Sequence, residues 1–201
     1  MLASYTRPGQ YVLIEVPSFS GSGYFAMARA PGSISDGLEF LIKAEGVGRE
    51  LARLDPGAAL GMSDPIGDGF PLDRAAKRNV LLLAAGAGIG PIRAALESMC
   101  RDRDRYGWIR LYYGQARVED FAFREWLESL AEHRVELEQV ISGESSAHAR
   151  GYVQEVADSE RNFGEPERLC VLLCGMAEME RDARERCLAR GVEAGQILTN
   201  F

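Results

Sequence analysis

The string Gly86-Ala87-Gly88-Ile89-Gly90-Pro91 constrains this 201-residue chain more than any other feature. It follows directly on Val80-Leu81-Leu82-Leu83-Ala84, an unbroken apolar run of strand length. It opens a stretch with helical spacing in Ile92, Ala95, Leu96 and Met99. Glycines let a backbone turn tightly and approach a phosphate closely. A helix N-terminus then offers free N–H groups and a positive dipole end to a diphosphate. Pro91 suits a first-turn position, where its missing N–H costs nothing. Strand, glycine turn and helix in this order are the context a dinucleotide site requires. A side chain at Gly88 is therefore expected to fill the space of a diphosphate. The alternative is a glycine turn that only packs helix on strand.

The pattern around this string alternates. Residues 108–113, 135–141, 169–174 and 197–201 read as further strands. Residues 90–101, 119–133, 151–157 and 176–190 read as helices, the last closed by Gly191. Apolar strands separated by helices predict a parallel sheet covered on both faces. Before about residue 75 the chain instead carries short β-type runs at 11–16, 25–29 and 38–44, cut by Pro and Gly, with a short helix at 48–54. Short strands between turns predict a small antiparallel sheet or barrel. The expected architecture is α+β in two parts: residues 1–75 a reduced antiparallel β-barrel, and residues 76–201 a Rossmann-like α/β parallel sheet.

Charge and composition narrow the function. Thirty acidic residues against 23 basic ones give a net charge of −7, a poor balance for binding nucleic acid. No apolar run reaches the roughly 20 residues of a membrane span, and no export signal is read, so a cytoplasmic protein is expected. Cys100, Cys170, Cys174 and Cys187 fit neither a disulfide framework nor a zinc spacing, and no metal site is expected. His133 and His148 are isolated in polar sequence and are expected to be solvated. Lys43 and Lys77 are the only lysines, which points to base-composition bias and to no mechanism.

The glycine string resembles the nicotinamide-dinucleotide loop of the ferredoxin–NADP reductase superfamily. Other strings resemble the same superfamily in the same order. Pro8-Gly9-Gln10-Tyr11 is similar to the opening of a strand in its flavin barrel. Asp64-Pro65-Ile66-Gly67-Asp68-Gly69-Phe70 is similar to the join between its two domains. Tyr113-Gly114-Gln115-Ala116 looks like the turn after its second Rossmann-like strand, and Cys174-Gly175-Met176 with Met179 looks like its nicotinamide motif. The resemblance covers nearly the whole chain. It implies NADP or NAD at Gly86, Ala87, Gly88, Ile89, Gly90, Pro91, Gly114, Gly175, Met176 and Met179. It implies FAD, bound weakly, at Phe25, Ala26, Met27, Gly48 and Arg49. Cys174 is expected beside the nicotinamide C4, or else is a strand-end core cysteine. Phe201 is expected to stack on the flavin, or else only closes the sheet. Arg117 is placed to meet a 2′-phosphate, while Glu119 and Asp120 are expected to cap the next helix.

The chain also departs from the superfamily pattern. Where the flavin signature is Arg-x-Tyr/Phe-Ser, this chain reads Gly23-Tyr24-Phe25-Ala26. Where a hydroxyl follows a glycine three residues on, it reads Gly46-Val47-Gly48-Arg49. The chain opens almost on Pro8-Gly9-Gln10-Tyr11, which implies a barrel short of one or two N-terminal strands. The expected function is NAD(P)H-dependent oxidoreduction, with hydride passing from nicotinamide to FAD and electrons to an acceptor protein or partner subunit. The alternative is a dinucleotide-binding regulatory or electron-transfer subunit that has lost tight flavin binding.

Overall fold

The computed structural model describes residues 4–16, 21–33, 37–143 and 148–200. Two sheets organise it. The first has three antiparallel strands, β1 (Tyr11–Glu15), β2 (Ser22–Ala26) and β3 (Gly61–Met62), in the order β2-β1-β3. β1 pairs along its full length with β2, from Tyr11 opposite Ala26 to Glu15 opposite Ser22. Val12 and Ile14 alternate inward and pack with Tyr5 and Met27 in a small core. The short helix α1 (Val47–Leu51) lies beside β2.

This part differs from expectation in register. The second strand begins and ends three residues earlier than the 25–29 run. Past Ala26 the chain leaves the ladder: Met27 forms a single bridge with Phe40, and the Arg29 side chain turns away to Glu97. The 38–44 run is therefore no regular strand, only that bridge plus the Ala28 N–H donated to the Glu39 carbonyl.

The second sheet has six parallel strands: β4 (Asn79–Ala85), β5 (Ile109–Gln115), β6 (Val135–Ile141), β7 (Ala149–Arg150), β8 (Leu169–Cys174) and β9 (Ile197–Leu198). Their order is β7-β6-β5-β4-β8-β9. β4 is central, and its side chains are buried on both faces, as its continuous apolar sequence requires. Val80, Leu82 and Ala84 face a core shared with α2 (Ile89–Cys100) and α3 (Arg124–Ser129). Leu81 and Leu83 face a second core with α4 (Val153–Val156), α5 (Glu160–Phe163) and α6 (Ala177–Ala189). Helices thus cover both faces, as the alternation predicted.

The 119–133 helix is broken. Residues 118–120 form one 3-10 turn, Phe123 takes a left-handed φ of 57°, and α3 starts only at Arg124. The interruption buries Phe121 edge-on against Tyr113, with ring centroids 5.0 Å apart. Glu119 does not cap the helix but pairs with Arg117, and α3 has no side-chain cap. His148 is not simply solvated; its ring meets Phe121 edge-on at 5.8 Å.

The two sheets meet along one stripe of α2. Arg93 reaches Glu39 at 2.6 Å and Glu97 at 3.1 Å. Glu97 also holds Arg29 and accepts the Ala30 N–H, and Arg101 donates to the Pro31 carbonyl. Positions 93, 97 and 101 lie four apart and share one helix face. Arg93, only 8% exposed, also lies over the Phe123 ring at 4.3 Å. This seam ties the helix that carries the glycine turn to the antiparallel sheet.

Candidate functional site

In the strand order, β5 lies on one side of β4 and β8 on the other. The chain leaves β4 toward β5, β6 and β7, then crosses back to β8. Open parallel sheets bind ligands at such a switch point, beyond the carboxyl ends of the strands. Ala84 pairs with Cys174 and Ala85 with Gly114, so three of the sequence motifs converge there.

Gly86 takes φ +58°, a left-handed turn that lets the chain leave β4 and enter α2. A Cβ there would stand 3.3 Å from Lys43 Nζ, so the Lys43 ammonium lies over the glycine turn. Among the described residues no carboxylate pairs with Lys43. Gly88 has ordinary helical backbone angles, and its glycine character has a different cause. A Cβ on Gly88 would run into the carbonyl of Cys174 and stand 2.9 Å from the Gly175 nitrogen. The missing Cβ of Gly88 thus points at the loop after β8, while the residue itself lines the larger of the cavities described next. Ile89 and Gly90 are buried behind the turn.

Of the cavities that open at this junction, two take in most of the expected site residues. One of about 500 Å³ lies between the sheets and is lined by Phe25, Ala26, Lys43, Gly48, Pro91 and Cys174, among others. The other, of about 230 Å³, lies over the ends of β4 and β5 and is lined by Gly86, Gly114, Tyr152, Gln154, Met176 and Met179, among others. Lys43 lines both.

The larger cavity is lined by two aromatics, Tyr24 and Phe25, by one cation, Lys43, by the carboxylate of Glu45 and by the buried Asn200. Asn200 donates to the Gly9 carbonyl, while its Oδ1 has no hydrogen-bond partner among the described residues. In the smaller cavity Gln154 is 8% exposed and donates to Asp182 at 3.1 Å. Its Oε1 likewise lacks a partner among the described residues. A buried acceptor without a donor suits a ligand that brings one. These features fit a flavin in the larger cavity and a nicotinamide dinucleotide in the smaller.

Cys174 ends β8, is 6% exposed, and its thiol is pushed well above the ordinary range, first by burial and then by the charge of Glu180. It is thus held neutral and cannot act as a base or thiolate. Glu180 accepts the Gly175 N–H at 2.9 Å, and burial pushes its own carboxyl up.

Not every expected residue reaches the junction. Met27 is fully buried in the small core, away from both cavities. Arg49 and Arg117 are exposed and line neither cavity, and Arg117 is held by Glu119 at 3.2 Å. Phe201 lies outside the described residues. Lys43, Gln154, Glu180 and Asn200 were not expected. Lys43 alone carried a signal, as one of only two lysines.

An antiparallel sheet joined to a parallel sheet, with adjoining cavities at the switch point, is the two-part architecture of a dinucleotide-binding oxidoreductase. Residues 82–185 match the family described as oxidoreductase NAD-binding domain, and the chain belongs to that family, within the ferredoxin–NADP reductase type. The chain is 34% identical to ferredoxin–NADP reductase B of Sorangium cellulosum, covering 91% of this chain and 78% of that protein. It is 27% identical to the sulfhydrogenase 2 gamma subunit of Pyrococcus furiosus, covering 95% of this chain and 70% of that one. In fold it is similar to a ferredoxin NADP+ reductase from Neisseria gonorrhoeae solved with FAD and NADP. That match has a TM-score of 0.81 at 21% identity and covers 98% of this chain and 87% of the other.

Proposed function

We propose that this chain takes reducing equivalents from NAD(P)H into an FAD held in the interdomain cavity, and passes electrons to a separate acceptor. The observation that carries this reading is that the two cavities share Lys43 and are otherwise lined by successive residues of the same two loops, Gly86 against Ala87 and Gly88 after β4, and Met176 against Cys174 and Gly175 after β8. The glycine turn and Lys43 would hold the dinucleotide diphosphate. Tyr152 and Gln154 would border its far end, and Met176 and Met179 its nicotinamide. Phe25, Ala26, Gly48 and Lys43 would border the flavin. Bound together, the two groups supply hydride transfer from nicotinamide C4 to flavin. The protein positions them, keeps the Cys174 thiol neutral, and seals the junction with packed glycine loops.

The change of sheet type between β3 and β4 supports a domain boundary near residue 75. A partner acceptor is supported by relatives that, by name, are a hydrogenase subunit and dioxygenase electron transfer components. Unpaired Cys100, Cys170, Cys174 and Cys187 suit a reducing, cytoplasmic setting. No described helix is long and apolar enough to cross a membrane. The test is spectroscopic. The purified chain, with FAD added, should show a yellow flavin spectrum that bleaches anaerobically on adding NADH or NADPH. Dinucleotide binding with no flavin uptake would favour the second reading, a regulatory subunit without flavin, for which the missing side chains at Gly23 and Ala26 speak. Binding of neither dinucleotide would overturn both.

A further inference from the structure

Glu180 is a half-buried carboxylate that makes no ion pair among the described residues. Its one hydrogen bond is the 2.9 Å contact from the Gly175 N–H. It follows Met179 in the first turn of α6, so it stands behind the loop whose residues line both cavities. Cys174 and Gly175 line the larger cavity, Met176 and Met179 the smaller. The charge of Glu180 is felt at Cys174, the strand end at the junction. A carboxylate needed only to cap the N–H of Gly175 need not be charged, because an amide oxygen accepts the same bond. Nor is a half-buried, unpaired carboxylate a favourable way to make one.

Resting on the proposed hydride transfer, we propose that Glu180 is an electrostatic positioning residue that favours the oxidised nicotinamide over the reduced one. When hydride leaves C4, two electrons and one proton pass to the flavin, and the neutral dihydropyridine ring becomes a pyridinium cation. A fixed negative charge behind the Cys174-Gly175 turn stabilises that cation and does nothing for the neutral ring. At the low effective dielectric of a half-buried site, one such charge several ångströms away shifts an equilibrium by about tenfold.

The test compares Glu180→Gln with the parent by titration calorimetry, using NAD+ and NADH, or NADP+ and NADPH, on the protein as purified. ADP-ribose, which lacks the nicotinamide ring, serves as the control. Glutamine retains the acceptor for Gly175 N–H and removes the charge. The expected result is about tenfold weaker binding of the oxidised nucleotide, with the reduced nucleotide and ADP-ribose unchanged. Glu180→Asp, which keeps the charge and shortens the reach, is expected to retain most of the parent preference. Equal losses for oxidised and reduced forms, or an unchanged ratio, would overturn the proposal and leave Glu180 a helix cap. A parent protein that binds none of these nucleotides would overturn the proposed function itself, and this inference with it. Loss of the folded circular-dichroism spectrum in Glu180→Gln would transfer the decision to Glu180→Asp, where loss of the oxidised-form preference overturns the proposal.

Discussion

Gly88 lies so close to the carbonyl of Cys174 that no Cβ fits between them. The turn after β4 and the turn after β8 are thereby locked together at the sheet's switch point. Gly88→Ala is expected to force these loops apart, at a cost on the order of 1–3 kcal/mol, because the obstruction is backbone and not a mobile side chain. Thermal unfolding should show a lowered midpoint, and dinucleotide affinity should fall with it. A variant of parental stability that has lost only dinucleotide affinity would mean that the position faces ligand after all.

Lys43 is the cation nearest the glycine turn, and no carboxylate among the described residues competes for it. A charged hydrogen bond is worth about 1.5–3 kcal/mol, so Lys43→Met is expected to weaken NAD(P)H by roughly ten- to a hundredfold. The salt dependence of binding should become shallower, since one phosphate contact is screened less when its cation is gone. Calorimetry at two ionic strengths reads both effects. Unchanged affinity would remove Lys43 from the site.

Much of the parallel sheet was legible, and little of what sets the geometry of the site was. The strand at 169–174 is readable because a parallel strand buried on both faces needs a continuous apolar run. The glycine turn is readable because three constraints coincide within six residues. The failures are tertiary. Nothing in the helical spacing of 119–133 says that it will break at Phe123; Tyr113, on the preceding strand β5, packs against Phe121 only once the chain has turned back over the sheet. No sequence motif assigns a role to Arg93, Glu97 and Arg101, which form the seam to the other sheet with partners, Glu39, Arg29 and Pro31, more than fifty residues away. Lys43 looked like compositional chance for the same reason: its partner surface exists only once both sheets are packed.

Arg93 should matter for stability out of proportion to its surface-like sequence. It is 8% exposed and meets two carboxylates and two aromatic rings, Phe123 and Trp126. Arg93→Met leaves Glu97 with Arg29 but strips Glu39 of its closest cation. The expected loss is on the order of 3 kcal/mol, the low end for a buried pair because Glu39 remains partly exposed. Urea unfolding measures it; a loss below about 1 kcal/mol would make the seam an ordinary surface contact.

Glu180 also makes stability pH-dependent in a direction opposite to most carboxylates. Its carboxyl is pushed up by burial, against the pull of the Gly175 N–H. The folded state therefore holds its proton more tightly than the unfolded chain does. The cost of ionising it is absent below the ordinary carboxylate range, grows as pH rises from there to the raised folded value, and is complete above it. Glu180→Gln is thus expected to gain stability relative to the parent at neutral pH and to lose that advantage in acid. Urea midpoints of both proteins across this range check the sign. An advantage that grows in acid would mean that the folded state favours the charged form.

The flavin side offers the last test, and the structure changes which substitution is worth making. Restoring the superfamily's arginine and serine at Gly23 and Ala26 is the obvious repair. A Cβ on Gly23, however, would stand 2.9 Å from the Phe25 ring, so Gly23→Arg displaces one of the two aromatic rings that line the larger cavity. Ala26 lines the same cavity and is only partly buried, so a hydroxyl can be added there without moving a neighbouring ring. Ala26→Ser alone is expected to tighten FAD by up to about tenfold, the worth of one neutral hydrogen bond of about 0.5–1.5 kcal/mol. Gly23→Arg alone is expected to tighten it less than a charged bond would otherwise give, because the displaced ring offsets the gain. Quenching of FAD fluorescence on titration with each variant measures both. If Gly23→Arg tightens FAD by the full ten- to hundredfold of a charged hydrogen bond, Phe25 contributes nothing to holding the flavin.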